Sequence, residues 1–258
     1  MSQTIDWAVV TGASSGIGAA LARALAARGI GVVLVGRREA HLASVRDGIA
    51  GRVPALAVPA DVATAHGRQQ VHDALAERGG RLRYLVHNAG VGPPSPDFAR
   101  TDGDALARAF AVNVTAPLTL TQALLPALRR AAPARVLLVG AGIADRAQPG
   151  TGVYGITKKA LARLFEQMLT DFAHEAAADL PAVALFQPGL VDTEGLRDHL
   201  RAAADRGLPH ADYLDAALRR GDARAPAQAA EAMARALVDL RPPDYHGRVL
   251  RPAELLGG

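Results

Sequence analysis

Short apolar runs alternate with longer amphipathic stretches along nearly the whole chain, and this beat constrains the fold more than any other feature. The runs are Trp7–Thr11, Gly31–Gly36, Val53–Val58, Leu82–His87, Arg135–Gly140 and Ala182–Gln187, with a weaker one near Arg248–Arg251. Between them, 19–28, 39–48, 63–78, 105–130, 154–178 and 227–240 have the apolar spacing of helices. The runs show no polar alternation, as expected of strands covered on both faces. Strand–helix repetition with right-handed crossovers therefore predicts an α/β fold. A single doubly wound domain over 1–258 is expected, its mostly parallel seven-stranded sheet flanked by helices. No Gly/Ser/Pro linker, internal repeat or low-complexity tail divides the chain. The beat stops only between Thr193 and Ala225, in a polar, Arg- and Ala-rich stretch with helical character. Ligands in such sheets lie outside the carboxyl ends of the strands. The stretch is expected to cover the substrate, with a surface helical excursion as the alternative.

Directly after the first run comes Thr11-Gly12-Ala13-Ser14-Ser15-Gly16-Ile17-Gly18, and then a helix. Glycines there let backbone N–H groups approach a pyrophosphate, and the start of the helix favours its charge. A glycine triplet alone is weak, since glycines also make ordinary turns. Placed between the first strand and first helix, it points to a Rossmann-type dinucleotide site. The second run ends Val35-Gly36-Arg37-Arg38. An NAD site commonly has an acidic residue near this point for the ribose hydroxyls. Here Gly36 takes that place and two guanidiniums follow, which suits a phosphate better. NADP(H) is the expected cofactor, unless Arg37 and Arg38 are only a charged helix entry.

With this loop, Asn88-Ala89-Gly90 and Tyr154-Gly155-Ile156-Thr157-Lys158, the chain resembles the short-chain dehydrogenase/reductase family from about Trp7 to Thr193. The segment 227–250 is similar to that family's last helix and strand. His87-Asn88-Ala89-Gly90 and Gly142-Ile143-Ala144-Asp145-Arg146 look most like its sepiapterin-reductase-like branch. The resemblance implies that Ser14, Ser15 and Ile17 join Gly12, Gly16 and Gly18 in holding ribose and phosphates. It places Asp61 and Val62 at the adenine, and Asn88, Ala89 and Gly90 under the cofactor. Pro188-Gly189-Leu190-Val191-Asp192-Thr193 matches a PG-xxx-T pattern, in which the Val191 backbone and Thr193 grip the carboxamide. Asn113 matches an asparagine that holds a water in a proton relay. The family also pairs through its two long helices, here 105–130 and 154–178, so a homodimer or homotetramer is expected.

Tyr154 and Lys158 are four apart, so both project from one helix face. A nearby ammonium favours phenolate and is expected to pull the tyrosine below its usual value of about 10. Tyr154 then serves as proton donor when hydride reaches a small organic substrate, and Lys158 also bonds the nicotinamide ribose. Composition adds a point: of 29 basic residues only Lys158 and Lys159 are lysine. In so Arg-biased a chain, a surviving lysine suggests that a guanidinium would not serve there.

One part is missing. The family resemblance implies a serine about thirteen residues before the tyrosine, where its hydroxyl holds the reacting oxygen. Here Val139-Gly140-Ala141-Gly142 places Ala141 at that position, and no hydroxyl lies between Gly140 and Ala144. Losing one such donor costs roughly 100- to 1000-fold in turnover at comparable oxyanion sites. Three readings stand. A ketone or aldehyde is still reduced, with Thr151 or a substrate group covering for the serine. The substrate is an imine or iminium, already activated by positive charge. Or the protein binds NADP(H) as a weak catalyst, sensor or partner subunit, against which the retention of Tyr154, Lys158 and Asn113 argues. Ala141, Gly142, Asp145 and Thr151 are candidate substrate contacts, Asp145 being equally suited to a surface ion pair. Glu194, Arg197 and His199 open the polar stretch and are further candidates.

Other functions are disfavoured. The net charge is +4 and the sequence pI near 9.9, but the basic residues are dispersed without interleaved aromatics, unlike a nucleic-acid surface. No apolar run approaches the roughly 18 residues of a membrane span, and MSQTIDWAVV lacks the pattern of a signal peptide. The absence of cysteine fits a cytoplasmic protein. The eight histidines lack the spacing of a metal site.

Overall fold

The computed structural model describes residues 5–49, 51, 53–78, 80–95 and 97–256. Seven strands form one sheet: β1 (Asp6–Thr11), β2 (Gly31–Gly36), β3 (Ala55–Pro59), β4 (Arg81–His87), β5 (Arg135–Val139), β6 (Ala182–Phe186) and β7 (Val249–Leu250). Their spatial order is β3-β2-β1-β4-β5-β6-β7, and every pairing is parallel. Only the edges of the expected strands move. β3 begins two residues later, at Ala55, because its register is set by pairing Val32 with Ala55.

The apolar runs have no polar alternation because successive side chains enter two different cores. Ala8, Val10, Val32, Leu34, Leu137, Val139, Ala184 and Phe186 face one layer. Trp7, Val9, Val33, Val35, Val136, Leu138, Val183 and Leu185 face the other. The first layer is closed by α1 (Gly16–Ala26) and α9 (Pro226–Val238), and α2 (Glu39–Asp47) adds Leu42 and Val45. The second is closed by α3 (Ala65–Ala76), α5 (Ala116–Arg130) and α6 (Gly152–Glu175). His87 is buried, its Nε2 lies 2.8 Å from Thr121 Oγ1, and burial pushes its imidazole down to about 3, so it stays neutral.

The expected helix 105–130 is two helices and a wide turn. α4 (Gly103–Phe110) passes through a π-turn at Ala111–Thr115 into α5. Pro117, which has no N–H to return to the carbonyl four residues back, Asn113, follows directly after this turn at the start of α5. The continuous run Gly103–Arg130, 28 residues, is long and apolar enough to cross a membrane by length and composition alone, contrary to the expectation that no segment would be. In the fold, Ala116, Leu120, Leu124 and Leu128 bury its apolar stripe against the sheet.

The stretch after Thr193 folds into α7 (Glu194–Ala204) and α8 (His210–Arg220). This hairpin rests on the loop after β4, where Arg206 Nη1 donates to Pro94 O at 2.9 Å. Two short helices, α10 (Pro242–Tyr245) and α11 (Pro252–Leu256), close the described chain. Tyr245 is fully buried, donates to Val136 O at 2.8 Å, and lies 4.9 Å beneath the Arg135 guanidinium. Arg135 in turn donates to the carbonyls of Ala236, Leu237 and Leu240 at the end of α9. Tyr245→Phe is expected to lower unfolding free energy by about 1 kcal/mol, through the one lost hydrogen bond at constant packing. Urea denaturation with an unchanged m-value checks it.

Candidate active site

The strand order reverses between β1 and β4, and the loops leaving their carboxyl ends part there to form a crevice. Thr11 holds the two loops together. Its hydroxyl donates to Val86 O at 3.2 Å and accepts from Asn88 N and Ala89 N at 3.0 and 3.1 Å. Asn88 Nδ2 returns bonds to Thr11 O and Gly12 O. So close an approach needs bare glycines. A Cβ on Gly18 would lie 2.3 Å from Gly12 O and 2.5 Å from Asn88 Nδ2, and Gly12 has φ +67°. Above this packing α1 begins at Gly16 with no side-chain cap and no acid in its first turn. Its first N–H groups are left for an anion, the chemistry a pyrophosphate needs. The residues present fit a dinucleotide on this count.

Arg38 lies over the same loop. Its Nη2 donates to Ser15 Oγ at 2.6 Å, and Nε and Nη2 each lie 3.3 Å from Ser14 Oγ. Its Nη1 binds Glu194 Oε2 at 3.0 Å, which holds that carboxyl below its usual range. The guanidinium thus already holds an oxyanion beside the loop, while Arg37 is exposed. Asp61 and Val62 follow β3, Asp61 Oδ1 accepting from Ala63 N at 3.0 Å. Across the crevice, a Cβ on Gly16 would meet Thr193 Cγ2 at 3.2 Å, so the segment 188–193 faces the glycine loop. Pro188 and Val191 are buried, Val191 bridges to Arg224, and Thr193 Oγ1 caps α7 by accepting from Leu196 N at 3.1 Å.

α6 begins at Gly152, so Tyr154 lies in its first turn, partly buried, and Lys158 follows one turn on, 3% exposed. Lys158 Nζ is 5.5 Å from the centre of the Tyr154 ring and donates to Val139 O at 2.7 Å. The expected acidification of the phenol is reversed here. Burial pushes Tyr154 up to about 12 and Lys158 down to about 8, because desolvation penalises both charged forms. A neutral phenol with its proton in place results. Asn113 is fully buried, and its side chain is engaged by protein partners. Oδ1 accepts from Val91 N at 2.9 Å, and Nδ2 donates to Val91 O at 2.7 Å and Thr157 Oγ1 at 2.8 Å. It is a cross-link between the loop after β4 and α6. Gly90 sits between this amide and the lysine, since its Cβ would lie 3.4 Å from Lys158 Nζ and 3.6 Å from Asn113 Oδ1.

Residues 6–203 match the family model described as short chain dehydrogenase. The chain belongs to the short-chain dehydrogenases. A sulfoacetaldehyde reductase of Chromohalobacter salexigens is 31% identical over 194 residues, covering 73% of this chain and 74% of that protein. The crystal structure of the KRED1-Pglu enzyme superposes with a TM-score of 0.83 at 28% identity, over 95% of this chain and 100% of that one. A structure from Beutenbergia cavernae with bound NADP gives 0.81 at 27% identity, over 100% and 99%.

After β5, Ala141 is extended and leads into a 3-10 turn at Gly142–Asp145. Two expected contacts are directed elsewhere. Asp145 is exposed and pairs with Lys159 Nζ at 3.0 Å, the surface alternative. Thr151 Oγ1 donates to Gln148 O at 2.8 Å. Ser95, which motif reading passed over, is buried and caps α6 from outside: its Oγ accepts from Val153 N at 3.0 Å, and its N–H donates to Gly150 O at 2.9 Å. Only a loop return in three dimensions brings it there.

The buried lysine makes a prediction about stability. A lysine lowered to about 8 in the fold from an ordinary 10.5 penalises the folded protein below pH 8, and the penalty fades between pH 8 and 10.5. Lys158→Met is therefore expected to stabilise the fold at pH 7 by at most about 3 kcal/mol, less the lost Val139 bond, and so to raise the melting temperature. The gain disappears near pH 10.5. Thermal melts of both proteins at the two pH values check the sign.

Proposed function

We propose that this dehydrogenase is an NADP(H)-dependent reductase of a carbonyl group on a small organic substrate. The observation that carries the reading is the Tyr154 ring, held by its helix and by Gly92 beside the crevice that the glycine loop opens, with Lys158 Nζ 5.5 Å from its centre. A Cβ on Gly92 would lie 2.4 Å from Tyr154 Cδ2, so the ring packs on bare backbone. The backbone N–H groups of 16–18, with Ser14, Ser15 and Ile17, hold the pyrophosphate and ribose. Arg38 and Arg37 take the 2′-phosphate, displacing Glu194 from Arg38. Asn88, Ala89 and Gly90 form the floor, Asp61 and Val62 border the adenine, and Pro188, Gly189, Val191 and Thr193 line the nicotinamide end. When bound, the nicotinamide supplies a hydride.

Tyr154 gives its proton to the oxygen that gains negative charge, and Lys158 stabilises the phenolate left behind. Lys158, lowered to about 8, remains mostly charged at neutral pH and is near enough to that pH to return a proton. Asn113 and Thr157 fix the wall from which both groups project. With Ala141 in the usual place of a serine, the oxygen lacks one donor. An imine or iminium is the second reading, favoured by that same alanine together with the committed hydroxyl of Thr151. Sulfoacetaldehyde reductase, a relative named for a small aldehyde, supports the carbonyl reading. None of the relatives named above bears on the sepiapterin-reductase-like branch. A cytoplasmic homodimer or homotetramer formed through α4–α5 and α6 completes the proposal.

Tyr154→Phe is expected to cut NADPH-dependent turnover about a hundred- to ten-thousand-fold with NADPH affinity retained. Full activity in that variant removes the mechanism. Ala141→Ser is expected to raise ketone turnover up to about a hundredfold and leave imine turnover flat. Titration with NADPH and NADH should give tighter NADPH binding, lost in Arg38→Ala, and tighter NADH binding in the wild type overturns the cofactor assignment.

A further inference from the structure

Two histidines of the α7–α8 hairpin stand outside this chemistry yet lie against its walls. His199 Nε2 is 2.9 Å from His210 Nε2, and His199 Nδ1 is 3.0 Å from Gly92 O. A carbonyl only accepts, so His199 Nδ1 carries a proton. In the neutral ring its Nε2 is then a lone pair, and His210 Nε2 must be the donor. His210 Nδ1 is left as a lone pair, buried and without a partner. The hydrogen bonds thus fix both tautomers.

The same contacts run in a circuit around the tyrosine. The Tyr154 ring packs on Gly92, and Gly92 O receives His199. His199 receives His210, whose ring packs on Gly150: a Cβ there would lie 2.1 Å from His210 Nδ1. Gly150 leads four residues along the chain back to Tyr154. Ser95 ties the circuit internally through Gly150 O and Val153 N. An added proton has no place in it. On His199 Nε2 it would set two donors face to face. On His210 Nδ1 it would put a buried charge against Gly150 with no acceptor.

We propose that His199 and His210 form a neutral couple that seats the α7–α8 hairpin over Tyr154 and positions Gly92 against its ring, and that proton uptake by the couple unseats the hairpin and opens the substrate side of the crevice. Its catalytic consequence rests on the carbonyl-reductase reading above; the couple itself does not. Both imidazoles are lowered from 6.5, first by burial, and His210 further by repulsion from a charged His199. The Gly92 carbonyl opposes this for His199. A base lowered in the closed form leaves closure intact above pH 6.5 and weakens it as pH falls through the couple's own, lower value.

The neighbouring charged groups do not reverse that sign. Tyr154 behind Gly92 is neutral. Asp198 and Arg201 on α7 pair with each other at the surface, and Arg197 pairs with Asp192. Arg206, between the helices, is held by Pro94 O, and Asp212 on α8 is exposed. Among the described residues no carboxylate hydrogen-bonds either imidazole.

The full-length protein with 15N-labelled histidine, titrated from pH 8 to 4.5 by imidazole NMR, tests the couple without turnover. Expected are one neutral Nδ1–H ring and one neutral Nε2–H ring at pH 7, both titrating below 6.5. Two rings titrating at or above 6.5, or both in the same tautomer, overturn the proposal. With NADPH and an aldehyde that the wild type reduces, kcat/KM is expected to fall about tenfold per pH unit below the couple's value. The fall should lie mainly in substrate KM, with NADP⁺ affinity unaffected. In His199→Asn/His210→Phe neither position titrates, and the limb should vanish; a limb identical to the wild type overturns the proposal. His199→Asn alone keeps a donor for Gly92 O and serves if the double variant does not fold. If no carbonyl is reduced at all, the function fails while the imidazole spectra still decide the couple.

Discussion

The site hangs on the knot that Thr11 ties at the end of β1. One hydroxyl makes three hydrogen bonds, to Val86 O and from Asn88 N and Ala89 N, and so joins the two strands between which the sheet reverses. The glycine loop and the 88–92 segment leave that knot in different directions, and everything chemical lies along one or the other. Buried backbone at a strand end must find partners: the Thr11 hydroxyl supplies them for the end of β4, and the Asn88 amide for Thr11 O and Gly12 O. Gly12 and Gly18 follow from this: the Asn88 amide presses so close that no Cβ fits.

The second constraint is electrostatic. Lys158 is an almost wholly buried cation whose one hydrogen-bond acceptor among the described residues is Val139 O. Stability would prefer an apolar residue there, and an ammonium in that position makes sense only if a negative charge develops nearby. The neighbouring phenol is the group that can supply it. In the resting protein burial pushes that phenol up, so it keeps its proton, the state that the proposed proton donor requires.

Much of this was legible in sequence because it depends on local order. Apolar runs of five or six residues between amphipathic stretches leave little choice but a parallel sheet with two covered faces. The glycine loop, Arg38, Tyr154 and Lys158 are recognisable because spacing along one strand end or one helix face determines what they can reach, while Asn113 is singled out only by the family resemblance. The direction of the phenol's shift was not legible. Spacing shows that an ammonium is one turn away, whereas burial and the competing carbonyl of Val139 decide which effect is larger. Likewise Asp145 and Thr151 have the right residue types near the right place, but Lys159 and Gln148 O claim them.

The sequence by itself determined the layering, the seven strands and the identity of the groups proposed for proton transfer, since these follow from periodicity and from motifs confined to a few consecutive residues. Tertiary structure alone decided what those groups touch. Ser95 capping α6, Asn113 spent on Val91 and Thr157, and His199 meeting His210 over Gly92 and Gly150 all join residues far apart in the chain or on separate elements. Hydrogen bonds of that kind depend on where loops return in space, and no local pattern of residue types encodes that return.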